Sequence, residues 1–210
     1  MTSYAYVRDG QEIYRRSFSI IRAEADLSRL PLDAHAMVVR MIHACGMVDL
    51  AADVRCHPQL VAAARAALYH AKPIVVDAKM VADGIIRSRL SANNAVVCTI
   101  GDPGVSDLAT RLKTTRSAAA VEHWLPHLDG AVVVVGNAPT ALFRLLEVIG
   151  NDGPRPAAII GTPVGFVGAA ESKRALMEHR FSVPYVTVVG RRGGSAIAAA
   201  ALNALSSSRE

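Results

Sequence analysis

Seven histidines, His35, His43, His57, His70, His123, His127 and His179, are the side chains able to take up and release a proton near neutral pH. His43 stands out. It lies in DAHAMVVRMIHACG, a largely apolar segment in which an imidazole must either find a hydrogen-bond partner or serve a site. His57 follows Cys56, but no second spaced pair accompanies them, so structural roles suffice and no metal site is expected. The G-x4-GK[ST], H-E-x-x-H and G-x-S-x-G patterns are absent. Gly161, Gly165 and Gly168 are spaced G-x3-G-x2-G rather than G-x-G-x-x-G, and the following β-branched run leads to Arg191 and Arg192. An NADP-binding oxidoreductase is therefore a rival reading, weakened because the wrong spacing misplaces the three glycines.

The net charge is +5, built from nineteen Arg against four Lys, and guanidinium suits a two-pronged grip on carboxylate or phosphate. An anionic ligand is expected. Nucleic acid is not, since there is no five-residue basic block and the few aromatics do not interleave with the arginines. The longest uncharged stretch, residues 193–208, falls short of the ~20 apolar residues of a membrane span. Arg8, Asp9, Glu12, Arg15, Arg16, Arg22 and Glu24 interrupt the N-terminal region where a secretory signal needs an apolar run. Cys45, Cys56 and Cys98 are odd in number and widely spaced, which fits a reducing cytoplasm.

The elements that must position these groups divide by period. Residues 10–27 place Ile13, Phe18, Ile21 and Ala25 near one helical face before Pro31 stops the segment. Asp33 is suited to cap the next helix, which Gly46 ends; Val38, Met41, Ile42 and Cys45 form its main apolar stripe. A third helix is expected from Pro58 to about Ala71. From Pro73 the period changes to short β-branched runs at 74–76, 95–100, 131–135, 157–160 and 185–189, each followed by a turn and a helix-like segment. This alternation predicts one α/β domain over residues 1–210. It is a doubly wound, mainly parallel sheet of about five strands, with helices on both faces and an N-terminal helical segment. Five glycine- or proline-bearing turns, DAKMVADG, GDPGVSD, GNAPTAL, GTPVGFVG and GRRGGSA, then converge on the rim where the strands end and ligands bind in such sheets.

Taken in order, SFSIIRAE (17–24), RMIHACG (40–46), DAKMVADGI (77–85), TTRSAAA (114–120), VVGNAPTAL (134–142), TPVGFVGAAESK (162–173) and GGSAIAAAALNAL (193–205) resemble the precorrin-8X methylmutase family over nearly the whole chain. The resemblance implies a cobalamin-pathway isomerase that moves the C11 methyl of precorrin-8X to C12, giving hydrogenobyrinic acid by a [1,5]-sigmatropic shift. It implies no cofactor, and a homodimer with shared sites. It places the family's proton donor, acting on the ring C nitrogen, at His43, and brings Tyr14 and Ser17 into the substrate pocket. A noncatalytic tetrapyrrole-binding protein would share these features without the chemistry.

The macrocycle's acetate and propionate groups make Arg116 the first expected carboxylate clamp, with Thr115 and Ser117 as neighbouring donors. Asn137, Ala138 and Thr140, together with Gly161, Thr162, Pro163, Val164 and Gly165, are expected to offer backbone and side-chain contacts at the rim. Arg191, Arg192, Gly193, Gly194 and Ser195 are expected to form an anion-gripping nest, or else a helix cap.

Overall fold

Four buried valines, Val132–Val135, run through the centre of the molecule because both faces of their strand are covered. The computed structural model describes residues 3–206; Ser207 and Ser208 of the serine-rich terminus lie outside them. The chain runs α1 (Gly10–Glu24), α2 (His35–Cys45), α3 (Leu50–Asp53), β1 (Val54–Cys56), α4 (Leu60–Tyr69), β2 (Ile74–Val76), α5 (Lys79–Gly84), β3 (Val96–Val97), α6 (Val105–Leu112) and α7 (Arg116–Ala120). After a 3-10 segment at Val121–His127 come β4 (Val132–Val135), α8 (Pro139–Gly150), β5 (Ala158–Gly161), α9 (Ala169–Glu178), β6 (Tyr185–Val188) and α10 (Ser195–Leu205).

The sheet has six strands in the order β1-β6-β5-β4-β2-β3, all pairs parallel except β1 with β6. The parallel strands β2 to β6 are the expected five runs, although β3 shrinks to two residues. The sixth, β1, is a three-residue antiparallel edge whose Val-Arg-Cys composition carries no alternation to betray it. Progression across the sheet reverses between β2 and β4, which makes their carboxyl ends the switch point of the fold.

Alternate strand residues feed two cores. Ile74, Val76, Val132, Val134 and Ile160 pack with α2, α4, α5 and α10, while Val75, Val133, Val135 and Ile159 pack with α8, Leu176 of α9 and Trp124. Helix α10 is buried nearly all round, and its alanines let neighbours approach closely. A Cβ on Gly84 would lie 2.8 Å from the Ala199 Cβ, and one on Gly136 2.8 Å from the Ala198 Cβ.

The helical third differs from expectation in detail. Helix α1 ends at Glu24 because Ala25 turns extended and the Asp26 carboxylate accepts the Ser28 N–H, a local bond that competes with helix. Its buried face carries Phe18 and Ile21 with Tyr14 and Ala25 packed beside them, whereas Ile13 is exposed. Asp33 caps nothing; it sits in a 3-10 turn, Leu32–Ala34, that runs directly into α2. Gly46 ends α2 as expected, in the left-handed region at φ 69°. Helix α4 starts two residues after Pro58, at Leu60.

Candidate active site

The switch point is already filled from within. Asp77, following β2, is buried, and its Oδ1 accepts the Gly136 N–H at 2.9 Å while Oδ2 accepts those of Asn137 and Ala138 at 2.9 and 2.6 Å. Burial pushes this carboxyl above its ordinary range and the three N–H groups pull the other way. The backbone contacts expected of Asn137 and Ala138 toward a ligand are therefore spent; only the exposed Asn137 side chain faces outward. The physical reason is that these N–H groups, just before α8, need hydrogen-bond acceptors in any state of the protein, and the chain supplies them.

Beside this turn, Thr115 and Thr140 share a hydrogen bond of 2.8 Å between their hydroxyls. The Thr115 oxygen also accepts the Ala118 N–H at 3.1 Å and so caps α7. Arg116, next in the chain, is exposed and gives one guanidinium N–H to the Ile100 carbonyl at 3.2 Å, which steadies the fork over the rim. Ser117 is half-buried.

The two remaining turns interlock. Gly161, Thr162 and Pro163 are buried rather than facing a ligand, Gly161 because its backbone lies against Leu176 and Leu142. The Thr162 carbonyl accepts the Gly194 N–H at 2.8 Å, and a Cβ on Gly193 would collide with that same carbonyl. Arg192 is not a free anion grip, since it pairs with Asp49 at 2.7 Å and with Asp53. Gly194 and Ser195 open α10. Beneath them lies Lys173, fully buried, its ammonium donating to the Arg192 carbonyl at 2.7 Å. Burial lowers this ammonium to about 8, opposed by the charge of Asp53. Outward from this scaffold point Val164, Phe166 and Val167, with the exposed Arg191 guanidinium 5.3 Å from the Phe166 ring centre.

His43 lies elsewhere, on the outer side of α10. It is exposed at the end of α2 and lines a depression of about 250 Å³ with Arg40, Ala44, Gly84, Ala196, Ala199, Ala200 and Asn203. The rings of Tyr14 and Phe18 on α1 meet its imidazole edge-on at 5.3 and 5.1 Å. Among the described residues, nothing hydrogen-bonds to the His43 ring, so both nitrogens can address a ligand. Arg40, one turn back on α2, is buried with its guanidinium 5.5 Å from both aromatic rings. Sequence reasoning missed Arg40; its spacing of three from His43 was the available signal. Ser17 is half-buried on α1, next to Phe18 in the chain. Asn203 closes the far end by accepting the Ile86 N–H and donating to the Gly84 carbonyl, both at 2.8 Å. A separate cavity of about 580 Å³ between the end of α1, α3 and β1 holds none of the expected site residues. Among the described residues no three His, Cys, Asp or Glu side chains are grouped to hold a metal ion, and no helix is long and apolar enough to cross a membrane.

A doubly wound α/β fold carries, beside α10, an exposed imidazole set against two aromatic rings and lining a depression with Arg40, an arrangement able to support acid–base chemistry. Comparison with known proteins agrees. The chain belongs to the precorrin-8X methylmutase family, whose model matches residues 12–208. It is 59% identical to the precorrin-8X methylmutase of Pseudomonas aeruginosa, over 98% of this chain and 99% of that one. It is 36% identical to the cobalt-precorrin-8 methylmutase of Leptospira interrogans, over 93% and 92%. The crystal structure of precorrin-8X methylmutase from Thermus thermophilus superposes with a TM-score of 0.85 at 42% identity, covering 94% of this chain and 95% of that one.

Proposed function

We propose that residues 1–210 act as one domain that isomerises precorrin-8X to hydrogenobyrinic acid in cobalamin biosynthesis, the methyl on C11 moving to C12. Substrate and product are isomers, so the reaction needs no net transfer of a group or of electrons. The protein's task is to hold one tautomer and to place a proton where it favours migration. His43 is the proton donor to the ring C nitrogen. The observation that carries this role is its exposed ring, which has no hydrogen-bond partner among the described residues, lines the depression beside α10 and is met edge-on by Tyr14 and Phe18.

Aromatic faces suit the flat macrocycle, and the cation of Arg40 beside them suits its carboxylate side chains. Tyr14 and Ser17 border the ring from α1. At the strand-end rim Arg116, Ser117, Arg191 and the Asn137 side chain keep groups that can reach peripheral carboxylates. Val164 and Gly165 supply an apolar edge. Thr115, Thr140, Gly193, Gly194 and Ser195 shape that edge.

A tetrapyrrole is larger than a depression of about 250 Å³. That mismatch supports a homodimer in which a second copy completes each site, and the exposed Val164, Phe166 and Val167 are apolar surface available for contact. The three thiols, none in a disulfide, support a cytoplasmic location.

Incubating the protein with precorrin-8X tests the activity: product of unchanged mass with an altered visible spectrum is expected. Binding without spectral change would instead mark a carrier, and retention of NADP in equilibrium dialysis would favour an oxidoreductase.

A further inference from the structure

Asp77 is a buried carboxylate with no part in the proton transfer, and its contacts lead across the rim to Arg116. It holds three consecutive N–H groups, those of Gly136, Asn137 and Ala138, from a position 59 to 61 residues earlier in the chain. Those residues open α8, and Thr140 in the first turn of that helix meets the Thr115 hydroxyl at 2.8 Å. Thr115 in turn caps α7 through the Ala118 N–H, and Arg116 is the first residue of α7. The links run from backbone N–H groups through the side chains of Asp77, Thr140 and Thr115, so the orientation of α7 is referred back to the ends of β2 and β4.

We propose that Asp77 is the positioning residue for Arg116, anchoring the α8 turn so that the Thr140–Thr115 bond holds α7 and its guanidinium toward a ligand carboxylate. The proposal rests on the reading of Arg116 as a carboxylate clamp. An internal anion at this place also accounts for why the switch point does not serve as a phosphate cradle: a dianion brought to the same N–H groups would displace or repel a resident charge.

Two measurements separate the proposal from that reading. In the ligand-free protein, Asp77→Asn is expected to speed hydrogen exchange of the Ala118 amide at least tenfold relative to amides of β5, because the Thr115 cap loosens. Thr140→Val, which leaves the buried carboxylate in place, is expected to do the same and serves where Asp77→Asn fails to fold. Unchanged Ala118 exchange in a folded variant overturns the positioning role whatever Arg116 does. With precorrin-8X, Asp77→Asn is expected to raise KM about tenfold with kcat within twofold, and to raise it no further in an Arg116→Ala background. Additive increases would overturn the coupling. If Arg116→Ala alone leaves KM unchanged, the clamp reading fails while the exchange result still decides the positioning.

Discussion

At the strand-end rim, Asp77 occupies the opening of α8, Arg192 is held by Asp49 and Asp53, and the Lys173 ammonium is turned onto the Arg192 carbonyl. Beside α10 the arrangement is reversed: His43 is exposed, makes no hydrogen bond among the described residues, and faces aromatic rings. The rim is rich in polar groups but has spent most of them on itself, whereas the depression beside α10 is lined mostly by alanine and glycine with few polar groups. Buried donors and acceptors must be paired before any ligand arrives, so a rim of tightly packed glycine turns satisfies its own charges. The proposed proton-donor region keeps its imidazole close to solvent and without a hydrogen-bond partner among the described residues. A glycine-rich turn is thus weaker evidence for a ligand contact than a polar group the fold leaves unused.

Substitutions that act on one region and spare the other sharpen this contrast. His43→Ala should lower the single-turnover rate by about 10²–10⁴-fold. The melting temperature should barely move, because the side chain is exposed and surface changes cost within ~0.5 kcal/mol. Near-wild-type turnover would remove His43 from the mechanism. Gly193→Ala should do the opposite. Its Cβ meets the Thr162 carbonyl at a residue with φ 155°, so strain and overpacking should lower the melting temperature by roughly 5–15 °C in a thermal scan. An unshifted melt would show that the rim is slack rather than interlocked.

Arg116→Ala removes a charged donor from the rim and is expected to raise KM about tenfold at low salt, with the effect shrinking as salt screens the attraction. Equal affinity for both proteins would remove Arg116 from the substrate contacts. A pH-dependent effect is expected at Lys173. Its ammonium is lowered from 10.5 to about 8 by burial. Between those pH values the unfolded chain therefore binds a proton that the folded chain has released, and stability from this group rises with pH. The slope is no more than about 1.4 kcal/mol per pH unit. Denaturant melts from pH 8 to 10.5 should show that rise in the native chain and a flatter profile in Lys173→Met; parallel profiles would mean that the folded state holds the ammonium charged.

Much of the architecture could be read ahead because five β-branched runs separated by helical lengths leave few alternatives to a covered parallel sheet. The edge strand β1 could not, since three residues with a central arginine have a pairing preference only once β6 lies beside them. From its apolar neighbours, His43 could be read only as partnered or serving a site; its exposure follows because it falls on the outer side of a helix whose other faces are covered. Ile13 and Tyr14 exchange places for a related reason: a stripe on α1 acquires an inside only when α2 chooses it.

The order of residues by itself determined the alternation of strand and helix, the rim as the place where the turns gather, the small side chains of α10 and the family to which the chain belongs. These follow from periodicity, chain geometry and motif order, all local or cumulative along the sequence. Tertiary structure alone decided that Asp77 would fill the opening of α8, that Arg192 would be consumed by Asp49 and Asp53, and that Arg40 would stand with Tyr14 and Phe18 around His43. Partnership between polar groups far apart in the chain is settled by which surfaces packing brings within about 3 Å, and residue type carries no record of that distance.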